Sequence, residues 1–207
     1  LTEIDPRSSY WIKQGGSYSD EEIWTDLQTV GVPIDCSVNY SLDFGPNYIS
    51  YSGADGMTID DAIGGANIDY MTCPDLNQSA GIVGRGLAST FIDGEWVGSL
   101  THLNRGDGYI FKSCQEFDFS WSCDDDVSSR SADMTMDSIQ RHPDGFEYEQ
   151  STQQAFYFIK EATMNGEEIA EGSWIIAYNG SVVVGARQWT GSYSDVPFMG
   201  FDNTDST

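Results

Sequence analysis

Four cysteines, Cys36, Cys73, Cys114 and Cys123, are the residues whose spacing most constrains their chemistry. An even number permits two disulfides in three connectivities. Cys114 and Cys123 flank a segment long enough for a strand or a tight hairpin, so the spacing favours Cys114–Cys123 with Cys36–Cys73. Free thiols are one alternative. Zinc is the other, but there is no CxxC and neither histidine lies near a cysteine pair. Disulfides imply an oxidising or extracellular location.

Carboxylates are the next chemical resource. Hard-oxygen ligands suit calcium, and the candidates are Asp202 and Asp205 with Asp195 nearby, and Asp55 with Asp60 and Asp61. None follows the spacing of an EF-hand loop. A carboxylate pair could also serve glycoside hydrolysis, although among 33 acidic residues some pair meets that separation by accident. The two histidines, His102 and His142, read as surface residues, and no nucleophile-elbow pattern accompanies them. Gly81-Ile-Val-Gly-Arg-Gly86 lacks the Lys-Ser/Thr and the long following helix of a phosphate loop, so its glycines read as places for a bulge or a close backbone approach.

For ligand binding, Trp96, Trp121, Trp174 and Trp189 with Tyr109 could form a sugar-stacking platform. Strands with a period of two bury such residues routinely, and core packing is the competing role. Trp189, at a strand end in Arg187-Gln-Trp-Thr-Gly191, is the best exposed candidate, with Arg187 and Trp96 beside it as candidate ligand-binding residues. Arg187 is also expected to pair with an acid such as Asp195. Asn39, Asn77 and Asn179 head glycosylation sequons, which matter only in a glycosylating host, and Asn179 is better explained by a turn.

The elements that must position these residues read as short strands and turns. Residues 9–13, 38–42, 47–51, 81–92, 95–100, 108–112, 117–121, 155–159, 173–178, 181–185 and 195–200 read as strands, with 155–159 buried. Asp93-Gly94, Asn165-Gly166 and above all Asn179-Gly180 are turn or hairpin signals, the last of type I′. Pro197 places its strand at an edge or strand start. Residues 19–30 read as a helix capped by Ser19 or Asp20, and 58–63 as one helical turn capped by Thr58 and stopped by Gly64-Gly65. The polar stretch that follows Asp124 reads as a linker. The expected architecture is mainly β: an antiparallel β repeat module with one or two short helices over 1–126, a linker over 127–144, and a β-sandwich-like module over 145–207.

One duplication stands out. Residues 1–13, beginning Leu1-Thr-Glu-Ile-Asp, align without a gap on 100–112, beginning Leu100-Thr-His-Leu-Asn, with Leu, Thr, Tyr and Lys identical at matching places. Because Gly94–Ser99 precede the second copy and nothing precedes the first, the amino-terminal copy is expected to be incomplete. The exchange of Glu3 for His102 argues against catalysis there.

The chain holds 33 acidic and 9 basic residues, a net charge of −24. Such a field repels nucleic acid and anionic membranes, so neither is an expected partner. No stretch approaches the roughly 18–20 apolar residues that cross a bilayer.

The blocks Gly81–Ser89, Gly94–Lys112, Gln154–Ile159, Gly172–Trp189 and Asp195–Gly200 together resemble uncharacterised β-repeat modules of very large surface or virion proteins of marine bacteria and marine tailed phages. The resemblance covers roughly 38–113 and 150–202. It implies an extracellular, cell-surface or virion-surface place and carries no catalytic residues. The expected function is therefore non-enzymatic: a structural and adhesive module of a long fibre or appendage, joined to itself or to neighbouring modules. A carbohydrate-binding module that takes surface glycans is the alternative, and a secreted hydrolase the third reading.

Overall fold

The computed structural model describes residues 4–10, 34–75, 78–84, 86–123, 142–151 and 153–201. Fifteen strands are present among them, in chain order β1 (Tyr40–Leu42), β2 (Gly45–Ser50), β3 (Met57–Thr58), β4 (Gly81–Gly84), β5 (Leu87–Ile92), β6 (Glu95–Gly98), β7 (His102–Leu103), β8 (Gly108–Ser113), β9 (Phe117–Phe119), β10 (Gln154–Ile159), β11 (Thr163–Met164), β12 (Glu167–Glu168), β13 (Trp174–Asn179), β14 (Val182–Gln188) and β15 (Ser194–Met199). One short helix, α1 (Ile59–Ile63), and a 3-10 turn (Gly65–Met71) follow β3. All strand pairs are antiparallel, and the chain is mainly β as its turn-rich composition implies. The expected helix over 19–30 and most of the expected linker lie outside the described residues.

Alternation explains the core. In β8 and β9 the aromatic residues fall at alternate positions, so Tyr109, Phe111, Phe117 and Phe119 share inward faces. They meet Tyr40, Tyr51 and Trp121, and the Phe119 and Trp121 rings stand edge to face at 4.6 Å. Trp121 satisfies its one polar atom by donating from Nε1 to the Ser50 carbonyl at 2.9 Å. This core lies under a five-stranded sheet of order β2-β8-β4-β5-β6. Beside it β1 pairs with β9, and the short β3 with β7. Thr58 caps α1 through its side chain, which accepts from the Asp61 amide, and Gly64 ends it, both as the sequence implies.

The hairpin signals are borne out with one shift. Asp93-Gly94 and Asn165-Gly166 close two-residue loops with positive φ at both positions, the type I′ signature. The third loop is Gly180-Ser181, because Asn179 still pairs with Val182, and positive φ falls on Gly180 alone. Its glycine therefore occupies the first central position of a II′-type turn. The run 155–159 is not buried. β10 alternates, and Tyr157 is 55% exposed. Among the described residues it pairs with β15 alone, and the Pro197 nitrogen falls at a non-hydrogen-bonded site opposite Phe156, which is how an edge strand tolerates it.

The cysteine pairing expected from spacing is corrected. The disulfides are Cys36–Cys123 and Cys73–Cys114. The reason lies in the β1–β9 ladder, which pairs Tyr40 with Phe119. Cys36 stands four residues before Tyr40 and Cys123 four after Phe119, so the same antiparallel register brings them together. A hairpin between Cys114 and Cys123 would have consumed the strand that β1 needs.

The duplicated segment takes the same local form twice. The Ser8 amide donates to the Asp5 carbonyl at 3.1 Å, and the Asp107 amide to that of Asn104 at 3.1 Å. The Tyr10 hydroxyl accepts from the Asp5 amide at 2.9 Å, and the Tyr109 hydroxyl from the Asn104 amide at 3.0 Å. Both copies then run antiparallel to β2, on opposite sides of it. Ile49 bridges Ser8 on one side and pairs with Tyr109 on the other. The Ser9 amide donates to the Tyr48 carbonyl and the Ser50 amide to that of Arg7, so the amino-terminal copy extends the sheet beyond β2.

Candidate functional site

Arg187 on β14 and Asp195 on β15 are brought together as expected from the sequence. Arg187 Nε donates to the Asp195 carbonyl at 2.8 Å, and Nη2 lies 3.1 Å from Oδ2. The same Nη2 donates to the Gly86 carbonyl at 2.8 Å. Asp195 Oδ1 accepts from the Ser99 amide at 2.8 Å, and Oδ2 from the Ser99 hydroxyl at 2.9 Å and the Ala88 amide at 3.3 Å. Asp195 is 1% exposed. Burial pushes its carboxyl above the usual carboxylate range, against the pull of Arg187 and the Ser99 hydrogen bonds. Gly185 completes the arrangement, because a β-carbon there would overlap the Pro197 carbonyl.

This geometry decides two sequence expectations. The Asp195 carboxylate faces only donors, namely a guanidinium, two amides and a hydroxyl, so a calcium ion there would meet positive groups where it needs oxygens. Asp195 is a staple between β14–β15 and the β5–β6 side of the five-stranded sheet. Asp202 and Asp205 lie outside the described residues. Trp189 is not an exposed platform either: it is 1% exposed, its backbone bonded to Gly172 and Ser173. Trp96 is half-buried on β6, its ring 5.5 Å from Phe91, and its Nε1 is buried with no hydrogen-bond partner among the described residues.

The other candidates do not converge. Asp55 accepts from the Arg105 amide at 3.0 Å, and Asp61 from the Thr58 hydroxyl at 2.7 Å. The Asp60 carboxyl is pushed up by burial and then by the neighbouring Asp61 charge. The one group among the described residues with metal-ligand proximity is Asp35, Cys36 and Cys123, whose sulfurs are already bonded to each other. His102 Nδ1 lies 2.9 Å from the Thr101 hydroxyl, and His142 Nδ1 lies 3.2 Å from the Pro143 carbonyl. Asn39 and Asn179 are exposed, whereas Asn77 lies outside the described residues.

The feature missed in the sequence is Tyr48. It is 56% exposed and stands between two clefts. One, of about 320 Å³, is lined by Asp5, Arg7, Ser41 and Asn47. The other, of about 120 Å³, lies over the sheet row Tyr48–Ile110–Val83, with Tyr10 and Gln154 at its walls. Arg7 makes a two-point contact with Asp5 through Nε at 3.1 Å and Nη2 at 2.9 Å. The outward side of an edge strand could have been read from the polar-apolar alternation of 45–50. What the sequence hides is that residues 4–10 supply the cleft's far wall. A further cleft of about 440 Å³ lies beside the inner disulfide, between Cys73 and the Asp93-Gly94 turn.

No protein family, no curated protein and no solved structure matches this chain. Its two disulfides point to an oxidising, extracellular-type environment. Among the described residues no helix is long and apolar enough to cross a membrane.

Proposed function

We propose that the chain is a non-enzymatic structural and adhesive module of a long extracellular fibre or appendage, at a cell or virion surface, and that it carries tension. The observation that supports this most is the Cys36–Cys123 bridge. The Cα atoms of its cysteines are 5.4 Å apart, yet the two stand 87 positions apart in sequence and enclose the whole aromatic core. A pull along the chain enters at Cys36, crosses one covalent bond and leaves at Cys123. The enclosed strands are bypassed. The resemblance to β-repeat modules of large surface and virion proteins fits this role, as does the acidic charge, which keeps an extended assembly soluble.

Force extension of single tethered molecules tests the reading. In the oxidised chain the enclosed segment contributes no length. Reduction should release roughly 300 Å of additional contour, from 87 positions at about 3.5 Å each. An unchanged contour length on reduction would sink the load-bearing role, and a hydrolytic activity of the pure chain lost with His102→Ala would sink the non-enzymatic one.

A carbohydrate-binding role retains one supporting observation, the exposed Tyr48 ring between two polar-walled clefts. It predicts glycan-array binding abolished by Tyr48→Ala and untouched by Trp189→Phe.

A further inference from the structure

The sheet edges of this molecule are guarded unequally. The outer edge of β2 is occupied by Arg7–Ser9. At the other end of that sheet β6 has only four residues, contains Glu95 and Gly98, and runs into Ser99, which Asp195 holds. β15 carries Pro197. β10 also lacks these devices but runs directly into Lys160 and Glu161; β13 lacks them and runs into an uncharged turn. Its six residues, Trp174-Ile-Ile-Ala-Tyr-Asn179, include no charge, no proline and no glycine. The bulge in the hairpin belongs to β14, where Val184 has no partner, and leaves β13 regular. Among the described residues β13 pairs with β14 alone.

The direction of its free groups follows from the ladder. The Trp189 amide donates to the Ser173 carbonyl, and Ile175 and Ala177 sit opposite Arg187 and Gly185 two and four residues further along. Alternation therefore turns the N–H and C=O of Trp174 and Ile176 away from β14. An edge of this length and composition, left bare, recruits another strand.

Charge selects the occupant. A chain with net charge −24 repels its own copies over most of its surface. From Gly172 through Ala186, however, there is no Asp, Glu, Lys, Arg or His. This hairpin is the stretch where a second copy can approach without like-charge contact, whereas a basic partner would be drawn to the acidic surface elsewhere. We propose that β13 is a self-association edge. Two copies pair β13 against β13, antiparallel across a two-fold axis, and form a continuous four-stranded sheet β14–β13–β13–β14. The contact covers Trp174, Ile175 and Ile176, each half-buried in the single chain, and brings the exposed Tyr178 and Val182 to its rim. It deepens the reading of the chain as an assembling module, but the contact itself is a property of the purified protein.

Sedimentation of the oxidised chain across salt concentrations tests this. Dimers should form, and their dissociation constant should fall at least about tenfold from ~20 mM to ~500 mM salt, as screening removes the repulsion. Tyr178→Lys adds a charge at an exposed position and should weaken the dimer about tenfold or more without touching the fold. Ile176→Pro should do so by removing an outward N–H, with thermal melting as its folding control. Dimer formation should slow amide exchange at Trp174 and Ile176. A monomer at every salt concentration, open-ended filaments, a dimer that salt weakens, or a dimer indifferent to Tyr178→Lys would each overturn the proposal. A monomer that still shows the contour-length gain on reduction would remove this edge and leave the load-bearing role standing.

Discussion

The two copies of the duplicated turn share their backbone bonds and part company in everything around them. Asp5–Tyr10 and Asn104–Tyr109 close the same turn and cap it with the same tyrosine hydroxyl. Yet Tyr109 is 2% exposed and Tyr10 41%, while Leu103 is 0% exposed and Ile4 43%. Local sequence therefore sets the turn, and position in the sheet sets its energetic weight. The second copy lies between β2 and β4, over the core; the first lies at an outer edge. The copies even meet, since a β-carbon on Gly108 would collide with that of Ser9, its own matched residue.

The largest test of this contrast is truncation of the matched tyrosines. Tyr109→Ala should cost about 3–5 kcal/mol, as for other buried aromatics, because it empties a site packed edge to face on Tyr51. Tyr10→Ala should cost less than about 1 kcal/mol. Equal losses in urea unfolding would show that the amino-terminal copy bears on the core after all. Next in size is the contact between copies. Gly108→Ala should destabilise by about 1–3 kcal/mol through overpacking, and Ser9→Gly in the same chain should restore most of it; a double-mutant cycle with no coupling would deny that the copies touch.

Smaller still is the loss of the tyrosine hydroxyl. Tyr109→Phe leaves the Asn104 amide without that acceptor in a part-buried site and should cost about 1–2 kcal/mol. Tyr10→Phe exposes its amide to water and should stay below about 0.5 kcal/mol, measured in the same way. The smallest effect is in pH. Hydrogen bonds from Arg7 hold the Asp5 carboxyl below its usual range. A carboxyl with a lowered folded pKa contributes above its unfolded value, near 3.8, and that contribution fades as pH falls through the folded value. The stability gap between wild type and Asp5→Asn should therefore close in acid. The second copy already carries Asn104 at this place, so Asn104→Asp with Arg105 as neighbour gives the matched comparison.

Much of the fold was legible because the signals were local. Asp93-Gly94, Asn165-Gly166 and Thr58 act within a few residues, and each does in the structure what its chemistry implies. The Arg187–Asp195 pair was legible because few basic residues compete for an acid. What failed was long-range. Trp189 stands at a strand end, where exposure is a fair expectation, but it is buried, and the chain turns back straight after it, the Thr190 amide donating to the Ser194 hydroxyl at the start of β15. Asp195 has the right atoms for calcium, and only the arrival of Ser99, 96 residues away, shows that its oxygens are already taken. Tyr48 went unnoticed because the residues that make its clefts come from distant parts of the chain. The cysteines went wrong for the same reason: sequence distance favoured neighbours, and the register of β1 on β9 favoured the ends.

That last feature bears on how the molecule is made. The bridges are nested, one loop inside another: Cys73 joins the next cysteine along, Cys114, but the first, Cys36, is joined to the last, Cys123. During synthesis Cys36 and Cys73 meet before Cys114 has emerged, and a bond between them forecloses both native partners. A Cys36–Cys73 bond is thus the mistake that the order of emergence invites. A compartment that oxidises thiols without exchanging them would trap it, whereas thiol–disulfide exchange lets it re-sort to the native pair.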